Sequence, residues 1–230
     1  MVQLSLAGTG VVVLGAAVHG AFHRNSFLFG DVLTRLPGHE RTVALTFDDG
    51  PNPEATPRLL DALARHDVRA TFFLLGRHVM RWPALARRIA DDGHQIGNHG
   101  FAHRKLHLAG PARARRDVLE GRRAIFDACG VTPRHFRAPH GFRSPFVTPA
   151  VRAAGERTVG WTLGVRDSDC PGAAEIARRV LQGVSPRSIV LLHDGDGYDP
   201  LGDRMQTVSA VTEIIPALRA DGYSFRALPE

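Results

Sequence analysis

Lysine is almost absent from this chain. Lys105 is the only one, so its positive charge is carried by arginine. The formal net charge is nonetheless +6 over 230 residues, which suits anionic partners such as nucleic acid or an acidic cell-wall polymer. The arginines form no stripe, however. Arg87-Arg88, Arg115-Arg116, Arg122-Arg123 and Arg178-Arg179 are scattered pairs that read as solvated helix faces. No basic stretch with interleaved aromatics is present, so no nucleic-acid partner is expected. Cysteine is also scarce. Cys129 and Cys170 are too few for a disulfide scaffold and lack CxxC spacing, and are expected as small buried hydrophobes. With 43% hydrophobic and 23% charged residues, the composition excludes disordered, collagen-like and coiled-coil chains.

Formal charge is missing altogether from Val2 to Phe22, a run about as long as a bilayer crossing requires. No Lys or Arg precedes it, so it lacks the charged start of a secretory signal, and Ala16-Ala17 before Val18-His19 makes no convincing cleavage site. Arg24 and Arg35, on its C-terminal side, argue against export of the chain beyond it. The favoured reading is a membrane anchor on an extracytoplasmic or cell-envelope protein. The others are an apolar helix packed on the domain, or a wrongly chosen start codon. Residues 1–40 are therefore set apart as apolar segment and linker, and 41–230 as the catalytic domain.

From residue 41 short apolar runs alternate with helical patterns. Seven runs read as strands: Val43–Phe47, Ala70–Leu75, His94–Asn98, His135–Ala138, Thr158–Leu163, Ile189–Leu192 and Tyr223–Leu228. Between them, Leu59, Leu60 and Leu63 share a helical face, as do Val208, Val211, Ile215 and Leu218. Val118, Leu119, Ile125, Phe126 and Cys129 mark another stripe. Pro83 suits the first turn of a helix that Gly93 stops. Such alternation implies parallel strands with right-handed crossovers, in an open sheet or a closed barrel. Seven strands are few for an eight-stranded barrel. An α/β fold is expected, as a distorted seven-stranded parallel β/α barrel.

In either architecture ligands collect at the C-terminal strand ends. The chemically loaded residues fall there. Asp48-Asp49 follow the first strand, His99 the third with His103 four residues on, and Arg137 and His140 the fourth. Asp167 and Asp169 lie beyond the fifth, and His193-Asp194 cap the sixth. Two histidines at i and i+4 with one carboxylate and open positions make a hydrolytic zinc site or a non-haem iron site. Successive residues at a strand end point apart, so only one of Asp48 and Asp49 easily becomes the third ligand. The other is free to take a proton from a water, as metal-assisted hydrolysis requires. His193 has the pKa range of a general acid. Arg137 is a fixed cation able to hold Asp48 ionised.

Thr46-Phe-Asp-Asp-Gly50, His99-x-x-x-His103, Arg137-Ala-Pro-His-Gly141 and Leu191-Leu-His193 occur in this order. They resemble the successive motifs of the polysaccharide deacetylases, the NodB-homology domain of carbohydrate esterase family four, over about residues 41–230. The resemblance implies a distorted seven-stranded β/α barrel. It also implies a site with Asp49, His99 and His103 as ligands of Zn2+ or another divalent transition metal. Asp48 would be the general base, Arg137 its orienting partner and His193 the acid. Pro139 and His140 would wall the groove, with the His140 N–H donating to the oxyanion, and Leu191 would line the acetyl pocket. The fourth motif is degenerate here. Counted from Trp161, a further wall of the groove, the aspartate that tunes His193 is Asp167, with Asp169 the rival. Gly100 stands where the family usually has Ser or Thr.

The implied activity is removal of N-acetyl groups from amino sugars of a peptidoglycan- or chitin-like polymer or oligomer, releasing acetate. Its rivals are an O-acetyl esterase acting on acetylxylan, a catalytically silent carbohydrate-binding module, and an iron oxygenase. Retention of Asp48, Asp49, His99, His103 and His193 argues against silence. The oxygenase leaves Asp48 and His193 without a role.

Overall fold

The computed structural model describes residues 15–229. Its centre is β1 (Thr42–Asp48), of which all seven residues are buried. A strand covered on both faces reads as continuous apolar sequence, and Val43–Phe47 does so. Parallel neighbours flank it: β2 (Thr71–Leu74), β3 (Gln95–Asn98), β4 (His135–Phe136) and β5 (Arg157–Thr158) on one side, β7 (Ser188–His193) and β6 (Leu163–Gly164) on the other. A last strand, β8 (Ser224–Phe225), pairs with the start of β1. Helices α1 (Ala55–Arg65), α2 (Gly76–Arg81), α3 (Pro83–Asp91), α4 (Pro111–Cys129), α5 (Val147–Ala153), α6 (Ala173–Gly183) and α7 (Met205–Ala220) surround the sheet. This is the expected distorted parallel β/α barrel.

The distortion lies where one straight strand, Thr158–Leu163, was expected. The chain instead pairs with β4 through β5, bends at residues 160–162, and pairs with β7 through β6. Among the described residues the count is therefore eight short strands. The bend leaves a gap between β5 and β7 that residues 33–36 fill. Leu33 N–H donates to Thr158 O and Leu33 O accepts from Gly160 N–H, both at 2.9 Å, while Leu36 N–H donates to Arg187 O at 2.9 Å. Leu33 and Leu36 bury their side chains under the barrel with Ala44, Phe73 and Ile189.

The helical stripes bury as expected in α1 (Leu59, Leu60, Leu63) and α7 (Val208, Val211, Ile215, Leu218). Pro83 opens α3, and Gly93, at φ +80°, follows it. In α4 the stripe differs. Val118, Gly121, Ile125 and Ala128 face the core at helical spacing, so Phe126 falls off that face and is 52% exposed. Cys129 is half-buried and Cys170 exposed, both as free thiols, so the expectation of two buried hydrophobes fails. Cys170 sits on a loop with no core behind it. Of the uncharged run, residues 2–14 lie outside the described residues. Residues 15–22 are helical and pack on the domain: Phe22 meets the Phe142 ring at 5.2 Å, and Ala21 O accepts from Arg143 N–H at 3.0 Å. Among the described residues no helix is long and apolar enough to cross a membrane.

Candidate active site

Parallel register delivers the site. Asp48, the last residue of β1, lies directly opposite His193, the last of β7. His99 follows β3, and its N–H donates to Leu74 O at 2.9 Å. The rim residues face a cleft of about 410 Å³ lined by Asp48, Asp49, His99, His103, His140, Trp161, Leu191, His193 and Tyr198 among others. Pro139 is buried behind His140 and does not line it.

Asp49 and His103 have left-handed backbones, at φ 72° and 52°, as does His140 at 59°. Side chains rarely adopt that region, and three cases around one cleft mark a place where the fold holds strain. Both aspartates reach His99 Nε2, Asp49 Oδ1 at 3.3 Å and Asp48 Oδ2 at 3.8 Å, but only Asp49 also reaches His103, with Oδ1 3.2 Å from Nε2. The His99 Nδ1–H donates to Arg137 O at 2.8 Å, which turns Nε2 toward Asp49. Burial would lower the ring's pKa, but Asp48 and Asp49 outweigh it and shift it upward, and only the neutral ring offers Nε2 as a ligand. His103 is pushed down to about 3 by burial and is therefore neutral. Asp49 Oδ1 is buried without a hydrogen-bond donor.

With both imidazoles neutral, three acceptors converge on one point. The spacing matches the roughly 3.4 Å that separates neighbouring ligands about 2.1 Å from one tetrahedral ion. The site fits a divalent cation held by one carboxylate and two imidazoles. Packing fixes it from behind. A Cβ on Gly197 would collide with the His103 ring, so only glycine fits there, and His78 Nδ1–H donates to Asp49 O at 2.8 Å.

Asp48 is no part of that trio. Its Oδ1 accepts from Arg137 Nη1 at 2.7 Å, and its Oδ2 stands 3.8 Å from His99 Nε2. Arg137 is fully buried, with Nη1 also on Thr46 Oγ1 at 2.8 Å and Nη2 on Gly160 O at 2.9 Å. Its guanidinium lies 4.1 Å from the Phe73 ring centre and 5.7 Å from that of Trp161. One arginine therefore ties the first strand to the bend after β5, and holds Asp48 while doing so.

His193 has its own partner. Its Nδ1–H donates to Asp167 Oδ1 at 2.9 Å, and its backbone N–H to Oδ2 at 2.7 Å. Thr207 adds a third donor at 2.9 Å. Asp169 is exposed and makes no such contact, so the structure brings Asp167 and not Asp169 to His193. Burial alone would lower the His193 pKa, but the charge and hydrogen bond of Asp167 outweigh it and lift it to about 9. The imidazole is thus held protonated, with Nε2–H as the proton it offers.

Several residues of the site were not read from the sequence. His78 gave no signal, being one histidine on a helix. Thr46 was seen as motif but not as an anchor of Arg137. The loop after Asp194, residues 195–204, carries little sequence signal beyond Gly195 and Gly197, where a Cβ would collide with Asp49 and His103. Asp196 accepts from the backbone N–H groups of Tyr198 and Asp199 and pairs with Arg204 at 2.6 Å, while Arg77 donates to Gly197 O. This brings the exposed Tyr198 hydroxyl into a 2.9 Å hydrogen bond with His140 Nε2, across the mouth of the cleft.

A sequence model of the polysaccharide deacetylase family matches residues 35–159. A chitooligosaccharide deacetylase of Sinorhizobium fredii (strain NBRC 101917 / NGR234) is 44% identical over 195 residues, covering 82% of this chain and 91% of that protein. The solved Bc1960 peptidoglycan N-acetylglucosamine deacetylase, in complex with 4-naphthalen-1-yl-N-oxidanyl-benzamide, aligns with TM-score 0.79 and 33% identity, covering 86% of this chain and 91% of that one. A family 4 acetyl xylan esterase from Clostridium thermocellum, in complex with a cobalt ion, aligns with TM-score 0.73 and 34% identity over 81% and 87% of the two chains. Motifs, barrel and relatives agree: this chain belongs to the polysaccharide deacetylase family.

Proposed function

We propose that this protein is a zinc-dependent hydrolase that removes N-acetyl groups from amino sugars of a chitin- or peptidoglycan-like oligomer or polymer. The observation that carries the proposal is the presence, in one cleft, of a cation-ready trio, a separate clamped carboxylate and a protonated histidine. Asp49, His99 and His103 would hold the ion. Bound there, a divalent ion supplies Lewis acidity, polarising a carbonyl and acidifying a water. Asp48, held by Arg137 and outside the trio, takes the proton of the attacking water. The His140 N–H donates to the oxygen that gains charge as the acetamide becomes tetrahedral. His193, protonated through Asp167, gives its proton to the departing amine. Leu191 and Trp161 shape the pocket for the acetyl group. Such polymers place the reaction at the cell envelope or outside it.

The test is acetate release from chitooligosaccharide, peptidoglycan and acetylxylan, before and after metal stripping. Release from the amino-sugar substrates, lost on stripping and restored by zinc, is the expected result. Release from acetylxylan alone makes the protein an O-acetyl esterase. Tight carbohydrate binding with no release makes it a silent module.

A further inference from the structure

Trp161 has an unusual support. It stands at the bend between β5 and β6, where the chain has left one strand partner and not yet reached the next. A side chain stands in for the missing strand. Asn25 Nδ2 donates to Trp161 O at 3.0 Å, and Asn25 Oδ1 accepts from Trp161 N–H at 3.4 Å. One amide thus satisfies both backbone groups of one residue, as a neighbouring strand would. The approach is close enough that a Cβ on Gly160 would collide with Asn25 Oδ1. The adjacent Arg24 guanidinium lies 5.3 Å from the Trp161 ring centre, and a Cβ on Gly141 would strike both the Trp161 ring and Arg24.

What Asn25 grips leads directly to the reacting groups. Trp161 lines the cleft, and Gly160, the residue before it, supplies the carbonyl that accepts from Arg137 Nη2. Arg137 in turn holds Asp48. Asn25 and Trp161 both lie outside the residues matched by the family's sequence model, 35–159. We infer that Asn25 is a positioning residue of the active site, acting through Trp161 and Gly160 on the groove wall and on Arg137. The catalytic half of this inference rests on the deacetylase reading above. Misplacing a catalytic contact by about 1 Å is enough to lose about 10²-fold in rate, so a single amide clamp at the bend has leverage.

The experiment uses the full chain carrying Trp82→Phe, which leaves Trp161 as the only tryptophan of the two. Asn25→Ala, Asn25→Asp and, as a control on the same segment, Phe27→Ser are compared in this background. Phe27 is 76% exposed and touches none of these groups. Acrylamide quenching of Trp161, zinc content, melting temperature, kcat and KM are measured for each. Asn25→Ala is expected to make Trp161 more accessible to quencher and to lower kcat by about 10-fold or more with zinc content unchanged. Asn25→Asp keeps the acceptor for the Trp161 N–H and loses the donor, and falls between Asn25→Ala and the parent. The control matches the parent. Unchanged quenching and kcat in Asn25→Ala overturn the inference, as does a loss of kcat that follows only a fall in melting temperature. If the parent releases no acetate from any substrate, the functional proposal fails instead. Trp161 quenching then decides alone whether Asn25 holds the wall.

Discussion

The cleft holds two aspartate–histidine groupings built from the same residue types, and they differ in what they lack. Asp167 accepts three hydrogen bonds, from His193 Nδ1, His193 N and Thr207 Oγ1. Asp49 Oδ1 accepts none, yet faces two imidazole nitrogens at 3.2 and 3.3 Å. The first grouping is complete as protein, an ion pair sharing one proton. The second is complete only with a positive charge from outside it. Residue type does not separate the two cases. What separates them is which imidazole nitrogen points at the carboxylate. His193 offers its Nδ1–H, whereas His99 gives its Nδ1–H to Arg137 O and turns Nε2 to Asp49. A buried acceptor facing acceptors is costly unless a cation joins them.

The comparison breaks most sharply at His103. His103→Ala removes one of three lone pairs and should abolish both tight binding of one divalent ion and measurable acetate release. Metal content of the purified variant checks this. Equal content in parent and variant would mean that the trio is an ordinary buried cluster. Asp48→Asn tests the division between ligand and base with the next largest effect. Because Asp48 Oδ1 faces Arg137 and not the trio, the variant should keep its ion while kcat falls by about 10²–10⁴-fold. Loss of the ion along with activity would move Asp48 into the ligand set.

Much of this site was legible because parallel strands deliver their ends to one rim, whatever lies between them. Asp48, Asp49, His99, Arg137 and His193 needed only strand positions and a rule about where strands end. Spacing raised the histidine pair and a strand-end carboxylate as a metal site, but which aspartate joins His99 and His103 was legible only through the family resemblance. The bend at 160–162 was not legible. Its residues, Gly160-Trp161-Thr162, carry β-compatible side chains, and the run 158–163 reads as one strand. The chain leaves its register there because residues 33–36 and Asn25 supply the missing hydrogen bonds from more than 120 positions away. For the same reason residues 24–36, part of a stretch that looks like a linker by composition, pack against the cleft wall. The loop 195–204 was illegible in another way, because its order comes from Asp196, Arg204 and Arg77 bonding to backbone and to each other, which leaves no apolar pattern.

Asp167→Asn sharpens the other side of the comparison, with the smallest effect. The His193 pKa of about 9 combines burial, which lowers it, with the charge and hydrogen bond of Asp167, which raise it further. A dication at Asp49 opposes Asp167, so loading the site lowers the value from there. The acid acts while protonated, and kcat should therefore fall as pH rises through that value. Asparagine can still accept from His193 but carries no charge, so the alkaline limb should move to lower pH while zinc content stays the same. Asp169→Asn, at an exposed position without contact to His193, should leave the limb in place. Stability must follow the same sign. The raised pKa belongs to the folded state, so the pair's stabilisation through His193 is full below about pH 6.5 and lost as pH rises through about 9. The melting temperatures of parent and Asp167→Asn should accordingly differ most at pH 6 and converge toward pH 9. A limb that does not move in Asp167→Asn, or a gap in melting temperature that widens with pH, would mean that His193 is not held protonated by Asp167 and is not the acid.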